Sequence, residues 1–108
     1  MKLTRIDASH PLFEASFTLY EASFPPNERR MREDHLRALQ DADFSPLGAV
    51  EDGMLLADVF LWETEDFCYL EHFAVQPSLR GHGTGSTILR QLPTRDKHVI
   101  LEERPAGR

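Results

Sequence analysis

Leu70-Glu71-His72-Phe73-Ala74-Val75-Gln76-Pro77-Ser78-Leu79-Arg80-Gly81-His82-Gly83-Thr84-Gly85-Ser86 is the stretch that decides how this chain folds. It opens inside an apolar run, Phe67–Val75, that reads as a strand and is ended by Pro77. A glycine-rich turn, Arg80–Gly85, then feeds a helix with Ile88, Leu89 and Leu92 on one face, which Pro93 closes. Val99–Leu101 follows as a buried strand, and a strand–helix–strand return of this kind makes a parallel pair.

The turn has the composition of an anion cradle. A diphosphate needs backbone N–H groups converging on one point, and the first turn of a helix supplies about four that lack an intrahelical partner. The backbone must also come close to the ligand, which side chains at Gly81, Gly83 and Gly85 would prevent. The positive end of the helix dipole adds attraction. A P-loop would need Gly-x-x-x-x-Gly-Lys-Ser/Thr, and no lysine lies between Gln76 and Arg95. The dinucleotide pattern Gly-x-Gly-x-x-Gly also fails: counted from Gly81 the sixth position is Ser86, and from Gly83 it is Ile88.

Working outward, Lys2–Ile6 alternates as a short first strand. Ser9, as N-cap, with His10 and Pro11 opens a helix that places Leu12, Phe13, Phe17 and Tyr20 on one face, with Phe24 near its end. Pro25-Pro26 stops it, and Asn27 is placed to cap a second helix in which Met31, His35, Leu36 and Leu39 share a face. From Phe44 the pattern is of strands: Leu47–Val50, an Asp52-Gly53 hairpin signal, Met54–Trp62, a polar turn at Glu63–Asp66, and Phe67–Val75. Short turns between three consecutive strands imply an antiparallel meander. The predicted order is β-α-α-β-β-β-α-β, an α/β layer with a mixed sheet.

What remains at the turn is Arg-x-x-Gly-x-Gly, met by Arg80, Gly83 and Gly85 after a strand ending Ala74-Val75-Gln76-Pro77. This resembles the signature of the GNAT superfamily of acyl-CoA N-acetyltransferases, and the order of elements is similar to that family along nearly the whole chain. Phe24-Pro25-Pro26-Asn27-Glu28-Arg29-Arg30 also looks like the loop between the first two helices of some members. The resemblance implies transfer of an acetyl group from acetyl-CoA to an amine by direct attack. It implies that amides of Arg80, Gly81, His82, Gly83, Thr84, Gly85 and Ser86 hold the CoA pyrophosphate. It further implies that Phe73, Ala74 and Val75 pair with the pantetheine arm, and that a main-chain amide near Val75 polarises the thioester carbonyl.

Such a reaction needs a general base. Glu71 is the first candidate, because strand alternation puts it on the face of Phe73 and Val75; the plain alternative is a surface or salt-bridged glutamate. His72, on the other face, and Glu102, at the end of the last strand, are the other options. Arg29 or Arg30 could reach an acceptor, though the mixed charges of Glu28–Asp34 most simply make a solvated helix face. Cys68 has no base beside it and reads as a small buried hydrophobe. The histidines His10, His35, His72, His82 and His98 show no ligand spacing, so no metal site is expected.

Composition narrows the class. The 108 residues have room for a single domain, and 41% hydrophobic with 28% charged residues is a globular profile. A formal charge of −6 argues against nucleic acid and is compatible with an amine-bearing partner, a small molecule or peptide. No apolar run is long enough for a bilayer, no signal-peptide pattern opens the chain, and one cysteine suits a reducing cytoplasm. Relative to the resembled family, the usual C-terminal helix and last two strands are lacking, so residues 1–108 are expected to be a partial acetyltransferase domain. The apolar face around Val99, Ile100 and Leu101 is then expected to be uncovered, favouring association of copies through the sheet. The rival expectation is a CoA-binding or dimerisation module of the same fold without turnover; a third is an unrelated phosphate-binding α/β fold.

Overall fold

The structure, a computed structural model, describes residues 1–92 together with the backbone of residues 98–101. Its elements run β1 (Lys2–Arg5), α1 (Phe13–Ser23), α2 (Arg32–Ala38), β2 (Phe44–Glu51), β3 (Met54–Glu63), β4 (Phe67–Val75), α3 (Thr84–Leu89) and β5 (His98–Leu101), with single 3-10 turns at Pro26–Glu28 and Pro77–Leu79. One five-stranded sheet holds the strands in sequence order. β1 to β4 pair antiparallel, and β5 lies parallel to β4. This is the order and the mixed sheet that the sequence predicts. Pro93 and Glu102 lie outside the described residues, as do the side chains of Val99, Ile100 and Leu101.

Both faces of the sheet are apolar, which is why β3 reads as a nearly unbroken hydrophobic run. On one face, Phe17 and Tyr20 of α1 pack against Phe44 and Phe60, and His35 of α2 inserts its ring among them. On the other face, Ile88 of α3 seals Ala49, Ala57, Val59, Leu61, Cys68 and Leu70. Cys68 is thus the small buried hydrophobe its surroundings in sequence suggest.

Several local expectations are corrected. α1 begins at Phe13, not near Ser9, and no side chain caps it; the ring Nδ1 of His10 instead accepts the Leu12 amide at 3.0 Å. Asn27 lies in the 3-10 turn, and α2 starts five residues later after Met31. Pro25-Pro26 favours extended entry, so the loop needs those extra residues before a helix can resume. Met31 is consequently outside the core, 74% exposed. Leu89 is 41% exposed, because the six-residue α3 presents only Ile88 squarely to the sheet.

Candidate active site

β4, the glycine turn and the start of α3 form one continuous feature. β5 pairs with β4 from Phe67 to Leu70, so beyond Leu70 the outer edge of β4 carries no β5 partner among the described residues. At the end of that edge the side chain of Arg80 folds back, its Nε donating to the Val75 carbonyl at 3.1 Å. The signature arginine therefore ties the turn to the strand. Gly81 and Gly83 have φ of +83° and +78°, a left-handed conformation that side chains disfavour, and a Cβ on either would meet nothing within 4 Å among the described residues. Gly85 differs: its φ is ordinary, and a Cβ there would touch the Phe73 ring and Val75 at 3.6 Å. The first backbone bond of α3 runs from Thr87 N to Gly83 O at 3.1 Å, so the amides of Thr84, Gly85 and Ser86 precede any intrahelical acceptor. His82 stands exposed at the tip of the turn and, with Thr84, Thr87 and Gln91, lines a cleft beside it.

Glu71 sits on a β-bulge. Phe60 pairs with His72 and Leu61 pairs with Leu70, which leaves Glu71 as the extra residue between them. The bulge overturns the predicted face. Phe73 and Val75 pack with the core beneath α3, whereas Glu71 turns to the α1–α2 face together with His72. Alternation holds only while the register is regular, and one inserted residue reverses it. Ala74 likewise faces α1, beside Leu19 and Leu55.

Both carboxylate oxygens of Glu71 are engaged. Oε1 accepts the indole N–H of Trp62 at 2.8 Å, and Oε2 forms an ion pair with the guanidinium of Arg30. Arg30 is in turn fixed: its Nη2 lies 3.1 Å from His35 Nδ1, its own amide donates to the Tyr20 hydroxyl at 2.7 Å, and its guanidinium lies over the rings of Tyr20 and Phe44. Burial first, and the Arg30 charge next, push His35 down to about 4, so it is neutral near pH 7 and accepts from Arg30. The neighbouring arginines do different work. Arg29 donates to the carbonyls of Glu21 and Phe24, and Arg32 grips Glu14.

His72 is almost fully buried, edge-on to Tyr20, with its Nε2 3.5 Å from Oδ2 of Asp58. Burial pushes Asp58 up to about 8, against the opposing hydrogen bond from Ser16. His72 therefore belongs to the packed interior between α1 and the sheet. Glu102, the remaining base candidate, lies outside the described residues. The structure brings Phe73, Val75 and the glycine turn together on one side of β4 and puts Glu71 on the other. Trp62 and Asp58 are site neighbours that element order and motif do not point to, yet each carries a signal in the sequence. A strand tryptophan needs a partner for its N–H, and an aspartate inside an otherwise apolar strand needs an explanation.

Comparison with known proteins identifies the fold and the family. The family model described as the acetyltransferase (GNAT) family matches residues 10–98. A GNAT-family protein from Bacteroides thetaiotaomicron superposes with a TM-score of 0.85 at 28% identity, over 98% of this chain and 62% of that one. The chain thus spans about three fifths of that relative's length. An aminoglycoside acetyltransferase from an uncultured soil metagenomic sample, in complex with sisomicin, aligns with a TM-score of 0.70 at 19% identity over 95% and 77%. An aminoglycoside 6'-N-acetyltransferase complexed with coenzyme A aligns at 0.64 and 14% identity, over 83% and 52%. No curated protein sequence matches the chain.

Proposed function

Since the chain belongs to the GNAT family of acetyltransferases, we propose that it transfers an acetyl group from acetyl-CoA to an amine acceptor, as a single domain in the cytoplasm. One observation carries the reading. Beyond Leu70 the outer edge of β4 has no β5 partner among the described residues, and past the Glu71 bulge the strand runs directly into a turn whose two left-handed glycines open onto the start of α3.

The residues present fit the CoA diphosphate. The three leading amides of α3 are the donors an anion needs, and no described residue comes within 4 Å of where a Cβ on Gly81 or Gly83 would stand. Phe73, Ala74 and Val75 would hold the pantetheine arm through the β4 backbone, as an added strand is held. Arg80, Gly81, His82, Gly83, Thr84, Gly85 and Ser86 would contribute through the main chain of the turn. Acetyl-CoA supplies an acyl carbon already activated as a thioester. Glu71 would receive the proton that the amine sheds as its nitrogen bonds to that carbon and the carbon–sulfur bond breaks, and the amide near Val75 would stabilise the carbonyl oxygen. The acceptor would be a small-molecule or peptide amine, and aminoglycosides are the first to screen, given the sisomicin complex of a structural neighbour.

A second reading has one observation in its favour: with both oxygens held by Arg30 and Trp62, Glu71 could be a structural ion pair in a CoA-binding or self-associating module. Calorimetric titration of acetyl-CoA, with Gly83→Val as control, followed by an acceptor screen for free CoA, separates the two. Binding with turnover supports the transferase. Binding without turnover across the screen supports the CoA-binding module, and no binding by the folded parent removes the transferase and leaves the self-associating module.

A further inference from the structure

The bulge explains why Glu71 faces the helices, but it does not explain what holds the side chain there. A bulged residue has no cross-strand partner to restrict it. Among the described residues, the contacts that fix the carboxylate come from elsewhere, one from β3 through Trp62 and one from the α1–α2 connection through Arg30. Arg30 is itself pinned from three directions, by His35, by the Tyr20 hydroxyl and by the Tyr20 and Phe44 rings. Of the three arginines in this segment, Arg29 and Arg32 bind α1 and its end, and Arg30 reaches the sheet.

We propose that Arg30 is a positioning residue for Glu71, holding its carboxylate in a single orientation on the bulge so that its remaining lone pairs face the incoming amine. The inference rests on the reading of Glu71 as the base. An ionised carboxylate offers about four acceptor positions, so two donors leave room for a third. The planar guanidinium fixes the carboxylate's orientation as well as its charge, which a lysine would do less well. Aim at the site is therefore set by the loop between α1 and α2, while β4 sets only the location.

Trp62 is the sole tryptophan and bonds Glu71 directly, so its indole N–H resonance in the ¹⁵N-labelled full chain reports on the carboxylate without any need for turnover. Glu71→Gln and Arg30→Gln are both expected to move that resonance, and Arg30→Lys to return it part of the way. For turnover, Arg30→Gln is expected to lower kcat about 10²-fold, the scale of a misplaced catalytic group, with acetyl-CoA affinity within about twofold of the parent. A folded Arg30→Gln protein with an unmoved indole resonance, or with a moved resonance and unchanged kcat, overturns the positioning role. Undiminished kcat in Glu71→Gln overturns the base reading instead, whatever the resonance does. Circular dichroism on each variant confirms the fold, and Arg30→Lys serves if Arg30→Gln does not fold.

Discussion

The hydroxyl of Ser16 on α1 donates to Oδ1 of Asp58 on β3 at 2.7 Å, across an interface from which water is excluded. This bond tethers the first helix to the middle of the sheet through a carboxyl group that burial keeps protonated up to about pH 8. The consequence is a pH dependence of opposite sign to that of a salt-bridged aspartate. The folded chain holds a proton that the unfolded chain releases near pH 4, so this group's stabilising contribution declines as the pH rises toward 8. Between pH 6.5 and 8 the parent should lose stability by at most about 1.4 kcal/mol per pH unit. Asp58→Asn, which keeps an acceptor for Ser16, should flatten that decline in urea titrations; a decline that persists in the variant would refute the assignment.

His35 acts in the other direction. Its folded value of about 4 lies below the ordinary histidine range, so the unfolded chain takes up a proton first as the pH falls. Its contribution is complete above pH 6.5 and is lost as the pH drops toward 4. Over that window the slopes of His35 and Asp58 cancel in the parent. Asp58→Asn should expose a stability that rises with pH from 4 to 6.5, and His35→Phe should expose one that falls from 4 to 8. Melting temperatures measured at half-unit intervals test both; identical profiles for the two variants would exclude the cancellation.

Gly83 and Gly85 should respond oppositely to alanine. Gly83→Ala forces a side chain into a left-handed backbone and should cost about 1–2 kcal/mol. Gly85→Ala lies within α3 at an ordinary φ, with room against Phe73 and Val75, and should stabilise the fold by up to about 1 kcal/mol. If Gly85 is kept small for the cofactor, the same variant binds acetyl-CoA more weakly. Thermal melts and calorimetry on one preparation give both answers. Unchanged binding in the stabilised variant would remove Gly85 from the cradle.

Ile88 anchors the short α3 to the sheet and is fully buried beneath it. Ile88→Ala should destabilise the chain by about 2–5 kcal/mol, with acetyl-CoA affinity falling alongside because the leading amides of α3 lose their seat. Denaturant unfolding and titration test the pair of effects. A loss of stability with intact affinity would show that the turn is held by the Arg80–Val75 tie alone.

The sequence by itself determined the order of elements, the antiparallel meander, the parallel return of β5 and the position of the glycine turn. Each of these rests on local chemistry: prolines that end elements, an Asp-Gly hairpin, glycines ahead of an apolar helical face. It also marked Glu71, but on the wrong face, because a bulge is a relation between two strands and leaves alternation in either strand undisturbed to the eye. Arg30 could be named as a charge near the site and no more, since its partners Glu71 and His35 meet it only after α1 and α2 fold onto the sheet. The same holds for Asp58, whose proton is retained because Ser16 and the surrounding rings remove it from water. What recurs at fixed spacing along the chain can be read from it. The orientation and protonation of the groups at the site depend on burial and through-space partners, and only the tertiary structure supplies those.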